Sequence, residues 1–420
     1  MPPPPALVRR LGLGDAVFIG LGSMIGAGVF SVFAPAAAAA GAGLLVGLAI
    51  AAGVAFCNAT ASAQLAAAYP TSGGTYAYGR AELGPWWGFL AGWCFVIGKL
   101  ASCAAMALTF AAYAAPAGWE RPVAIAAVVG LVAVNYFGVT RTAQLTRVIV
   151  VVVLLSLAVV VAAGVAAGAS PDGVGGAAAS TGGGYGILQS AGLLFFAFAG
   201  YARIATMGEE VRDPARTIPR AIVLALIVAV IVYAIVAVTV LAVLGPGGTA
   251  DSTAPLADAA AASGWGWTQP VVRGGAAAAS LGALLALIAG VGRTTLAMAR
   301  EDDLPRFLAA VHPRYRVPHR AELAIGAVVI AIVAVADLRG AIGFSSFGVL
   351  IYYFIANAAA FRQRPGARRY PRALQLLGML GCTVLVITLP IPAVIIGTGV
   401  VLVGVVYRFA RLRILRARPR

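Results

Sequence analysis

Apolar runs of membrane length alternate with short polar stretches along this chain. A helix needs about 20 mostly apolar residues to cross a bilayer core. By that measure spans are predicted near 14–36, 40–66, 84–114, 121–139, 146–168, 185–207, 218–244, 271–298, 322–336, 341–361, 373–389 and 391–410. The ninth is short, and only Pro390-Ile391-Pro392 parts the last two. The expected fold is an all-α polytopic membrane protein of about 12 transmembrane helices. Residues 1–13 form a short leading segment, and 169–184 read as a flexible Gly/Ala/Ser linker. Residues 245–270 read as a longer external loop, and 411–420 as a basic tail.

Composition fits this pattern. Of 420 residues 61% are hydrophobic and 10% charged, against about 25% charged in soluble domains. Lipid is therefore the expected solvent. The net charge of +16 could suggest nucleic acid, but its distribution argues against that. Of the 29 arginines, 26 lie on or near one face and only Arg121, Arg273 and Arg339 near the other. Such asymmetry marks the cytoplasmic side, so both termini are expected in the cytoplasm of a protein integral to the plasma membrane. Cys57, Cys94, Cys103 and Cys382 lie in apolar runs without metal-site spacing. Neither a metal nor a cofactor is implied. All 14 acidic residues fall in loops or at helix ends. An enzyme needs titratable groups converging at one depth and a receptor needs a signalling domain. Neither pattern is present, so a transporter is expected rather than an enzyme.

Two helices carry interruptions. The first contains Gly22-Ser23-Met24-Ile25-Gly26-Ala27-Gly28, and glycines at that density weaken a helix. They also let a ligand approach the backbone. The sixth contains Phe195-Phe196-Ala197-Phe198-Ala199-Gly200-Tyr201. The two helices are five spans apart, an odd number of crossings, so a repeat of that length is inverted. Broken helices at matching places in inverted halves point to a midplane substrate site. A half-helix N-terminus attracts a carboxylate, and freed carbonyls accept from an ammonium group. That pairing suits an amino acid. The competing reading is a GxxxG packing face made by Gly22 and Gly26.

These segments resemble the amino acid–polyamine–organocation (APC) superfamily of permeases, and within it bacterial relatives of the cationic amino acid transporters. Residues 20–30, 69–93, 195–222 and 293–326 carry the likeness, which covers most of 10–360. It implies a secondary active amino acid permease working by alternating access. A polyamine or other organocation transporter of the same fold is the alternative. The implied architecture is a five-plus-five inverted repeat, 14–168 and 185–361, with two additional helices at 373–410. The substrate carboxylate would meet backbone at Ser23, Ile25, Gly26, Ala27 and Gly28. The amine would meet carbonyls of Phe195, Phe196, Ala197 and Phe198, with Tyr201 near the substrate or its outer cover. The sequence departs from relatives in two places. Val153 stands about where some hold a fifth-helix lysine in place of sodium, and Ala202 where many are acidic.

Lys99, the only lysine, falls near the middle of the third helix. It is too deep for easy snorkelling, and an intramembrane ionisable residue is a functional candidate. It could serve as a switchable positive charge, making the proton the expected coupling ion; the competing reading is a structural lysine donating to backbone carbonyls of an unwound segment. Asp15, Arg203, Glu209 and Glu210 are candidates for a cytoplasmic gate, with solvated helix-end charges as the competing reading. Arg293, Arg300, Glu301, Asp302 and Asp303 are expected to pack a loop rather than meet substrate.

Overall fold

The computed structural model describes residues 11–70, 73–138, 143–168, 182–208 and 210–417. The chain enters through α1 (Leu13–Met24), α2 (Ala27–Ser31) and α3 (Phe33–Ala40), then α4 (Leu44–Ala68), α5 (Gly74–Leu83) and α6 (Pro85–Ala114). After α7 (Glu120–Tyr136) and α8 (Ala143–Ala166) come α9 (Gly183–Phe198) and the single turn α10 (Ala202–Ala205). The rest is α11 (Pro214–Asp251), α12 (Pro255–Ala261), α13 (Thr268–Arg300), α14 (His319–Val335), α15 (Leu338–Arg362), α16 (Arg372–Thr388) and α17 (Ile391–Ala417). Among the described residues there is no named strand; Leu11 and Val211 make one isolated backbone pairing.

Among the described residues, nine stretches are long and apolar enough to cross a membrane. The expected count of twelve is not reached on that measure. The shortfall is α7, α14 and α16, of 17 residues each. At 1.5 Å per residue they extend about 25 Å, just under the core thickness of about 30 Å.

Three segments differ from the sequence expectation. The 67–83 connection contains α5, which buries Tyr76 and Tyr78. The 245–270 loop is largely helical. Gly245 (φ 68°) breaks α11, and α12 buries Leu256, Ala257, Ala259 and Ala260 completely. The basic tail is not separate through 417, because α17 continues to Ala417. The linker's residues 169–181 lie outside the described residues.

Helix α6 runs through the middle of the fold, between α13 and α15. A Cβ added at Gly348 would lie 2.7 Å from the Cys94 carbonyl oxygen and 2.9 Å from Gly98 Cα. Glycine on each side lets the two backbones touch, the usual device for packing helices in lipid. Ser102 and Ser345 share a 2.6 Å hydrogen bond beside this contact.

On the arginine-rich face, Asp303 fastens α5 and α17 to the loop after α13. It accepts from Arg80 at 2.9 Å, from the Tyr76 hydroxyl at 2.8 Å and from Arg408 of α17. The Arg408 guanidinium lies 4.7 Å from the Phe89 ring centre and 5.1 Å from that of Trp86. Neighbouring Asp302 accepts from Arg306 at 2.7 Å and from Arg411 at 2.9 Å. The Arg306 hydrogen bonds, helped by Arg411, hold its carboxyl below the usual carboxylate range. These acids pack the loop, as expected.

Replacing Gly348 with valine should force α6 and α15 apart, since only backbone surrounds the new Cβ. Overpacking of this kind costs about 1–3 kcal/mol. Thermal denaturation in detergent should show a lower midpoint for Gly348→Val than for wild type.

Candidate functional site

The glycine-rich stretch interrupts the first span at Ile25 and Gly26, where Gly26 leaves helical geometry with ψ −130°. The sixth span changes less than the sequence suggested. It tightens into a 3-10 turn over Ala199–Tyr201 rather than unwinding. The two interruptions are in contact. A Cβ at Gly28 would lie 2.8 Å from Ala197 Cα, and one at Gly200 would collide with the Ser23 carbonyl. Ile25, Ala27, Phe195, Ala197, Phe198 and Tyr201 are almost fully buried here, and Phe196 is 7% exposed. The ten residues named for the substrate site therefore lie on two segments brought face to face.

Carbonyls near the breaks need donors, since an unpaired polar group in lipid costs several kcal/mol. Tyrosines supply them. The Tyr233 hydroxyl lies 2.6 Å from the Met24 oxygen and 3.0 Å from the Ala197 oxygen, so one group from α11 links the two breaks. Tyr113 donates to Phe30 at 3.0 Å, Tyr353 to Ala199 at 3.2 Å and Tyr78 to Ala205 at 3.1 Å. Sequence reasoning missed all four. The available signal was a lone phenol in an aliphatic run, clearest in VIVYAIV around Tyr233.

A cavity of ≈ 10 Å³ lies against the first break, lined by Gly22, Ile25, Gly26, Ile149, Val150, Val153 and Ala279. It has room for about one water molecule. Val153 is at that cavity, beside the break. Its lining side chains carry no oxygen.

Lys99 lies in the interior of α6, 8% exposed. Among the described residues no carboxylate pairs with it; the nearby titratable group is Cys103, one helical turn on. The gate candidates divide between two ion pairs. Asp15 joins Arg147 at 2.6 Å and caps α1 through the Gly12 amide at 3.1 Å. Arg203 joins Glu210 at 3.7 Å. Backbone bonds from Leu11 to Glu210 and from Arg212 to Leu11 tie the two regions together. Glu209 lies outside the described residues.

The sequence pattern described as amino acid permease matches residues 11–411. A protein named an uncharacterized transporter in Mycobacterium tuberculosis is 60% identical over 416 residues, covering 99% of this chain and 94% of that protein. A branched-chain amino acid permease of Bacillus subtilis is 25% identical, covering 89% and 85%. Cationic amino acid transporter 4 of Homo sapiens is 27% identical, covering 84% and 59%. Contact between two interrupted spans, tyrosine-capped breaks and a match along nearly the whole chain together make this protein a member of the amino acid permease family, within the APC superfamily.

Proposed function

We propose that this protein is a secondary active amino acid permease that works by alternating access, with substrate held between the α1–α2 break and the α9–α10 turn. The observation that carries this reading is the Tyr233 hydroxyl shared by the Met24 and Ala197 carbonyls. It couples the two interruptions that would grip the zwitterionic end of an amino acid. In this reading all twelve apolar helices cross the membrane as two inverted five-helix repeats and a closing pair, with both termini in the cytoplasm.

Neutral amino acids are the favoured substrates. The residues at the paired breaks carry no carboxylate, and a desolvated cationic side chain would want one. The name of the Bacillus relative supports this reading, while that of the human relative favours a cationic substrate. The proton is the favoured coupling ion. Lys99 is a buried amine in the interior of α6, and the cavity beside Val153 presents no side-chain oxygen to sodium.

Three outcomes follow from this reading. Gly28→Val should abolish uptake while leaving membrane insertion intact, because the added carbons meet Ala197 and wedge the two breaks apart; uptake and surface abundance measured together check it. In competition assays in proteoliposomes, alanine or leucine should displace labelled substrate better than arginine or lysine. Arginine as the stronger competitor would remove the electrostatic argument. Uptake should respond to a proton gradient and not to sodium, and Lys99→Met should transport with a flattened pH profile. Accumulation driven by sodium, or an unchanged pH profile in Lys99→Met, would exclude the role given to Lys99.

A further inference from the structure

The mechanism above leaves the charged cluster on the arginine-rich face unused. At this cluster lies a cavity of ≈ 220 Å³, lined by Arg80, Arg408 and Arg411 together with Glu301, Asp302 and Asp303. The carboxylates there are already matched. Asp303 meets Arg80 and Arg408, Asp302 meets Arg306 and Arg411, and Glu301 meets Arg80 at 3.3 Å. Four guanidinium groups therefore face three carboxylates, and the excess charge is positive. A guanidinium donates and cannot accept, so the surplus is one of donors.

That surplus is sharpest at Arg408, which is 6% exposed. Its terminal nitrogens reach Asp303 and, at 3.2 Å, the Pro85 carbonyl, while Nε is buried without a protein partner. A buried cationic N–H of this kind calls for an anion. The sequence around it offers none. Its last acidic residue is Asp337, whereas Arg408, Arg411, Arg413, Arg416, Arg418 and Arg420 crowd the C-terminus. The cavity also adjoins an apolar stripe. Leu402, Val406 and Phe409 recur at helical spacing on α17, and each is more than half exposed. The stripe ends where the Phe409 ring lies 4.6 Å from that of Trp86, beside the Arg408 guanidinium. A tryptophan at a helix start is typical of the membrane–water interface.

We propose that this cavity binds the phosphodiester headgroup of an anionic phospholipid, whose acyl chains lie along the Leu402–Val406–Phe409 stripe. The phosphate oxygens take the unpaired Nε of Arg408 and the remaining N–H groups of Arg80 and Arg411, since the guanidinium fork matches phosphate geometry. Basic pockets between helices at a membrane face hold headgroups in this way. The bound lipid adds a further tie between α17, α5 and the loop after α13. A free phosphate shares the headgroup chemistry but makes no use of the apolar stripe. The site depends on the charge cluster and not on which substrate the protein carries.

Native mass spectrometry of the full-length protein, titrated in detergent with phosphatidylglycerol or phosphatidylcholine, tests this. Wild type should retain phosphatidylglycerol severalfold more tightly than phosphatidylcholine, and an equal concentration of inorganic phosphate should not displace it. Arg411→Gln leaves Asp302 paired with Arg306 and should weaken phosphatidylglycerol roughly fivefold, the effect of one arginine near an anionic headgroup. Phe409→Ala, at an exposed position, should also weaken it, whereas Arg121→Gln on the opposite face should not. Equal retention of the two lipids, or unchanged phosphatidylglycerol binding in Arg411→Gln, would overturn the proposal. Displacement by inorganic phosphate would make the ligand a soluble phosphate and overturn the assignment to lipid.

Discussion

In a lipid-embedded chain no backbone N–H or C=O can be left to solvent, and this constraint organises the molecule around its breaks. A helix satisfies its own backbone; an interrupted one does not. Interrupting the first span at Ile25–Gly26 and tightening the sixth at Ala199–Tyr201 is possible because phenolic hydroxyls arrive from outside each helix. Tyr233 from α11, Tyr113 from α6, Tyr353 from α15 and Tyr78 from α5 reach carbonyls in or beside the two interruptions. Tyrosine suits the task because its body is apolar and its tip is a single polar group.

The same economy explains the glycines. Gly28 and Gly200 are placed where the two interrupted segments meet, and each removes a side chain that would strike the opposite backbone. Gly98 and Gly348 do the same where α6 crosses α15. The scaffold and the site thus rest on close backbone approach. A substitution at either place acts through geometry before it acts through chemistry.

Much of this could be read in the chain and some could not. Span positions, the first-helix break and the Gly200 interruption were legible because each is set by local composition. The extent of unwinding in the sixth span was not, since tertiary contacts to Ser23 and Met24 decide it. Helices α5 and α12 were hidden for a related reason: they are short and amphipathic, and only packing against their neighbours makes them helical. The capping tyrosines escaped notice because their partners lie far away in sequence; Tyr233 and Met24 are separated by 209 positions. Lys99 and the paired breaks were found by residue type alone, whereas the buried Asn58–Asn357 hydrogen bond needed two distant helices side by side to be seen.

The ion pair between Asp303 and Arg408 carries a consequence for how the protein is made. The acid emerges from the ribosome 105 residues before its buried arginine. Until α17 arrives, Asp303 has only Arg80 and Tyr76 to offset a largely desolvated charge. Insertion of the last helix therefore completes the charge balance of a site laid down much earlier. A chain truncated before Arg408 would leave the buried Asp303 carboxylate without the arginine that meets its second oxygen.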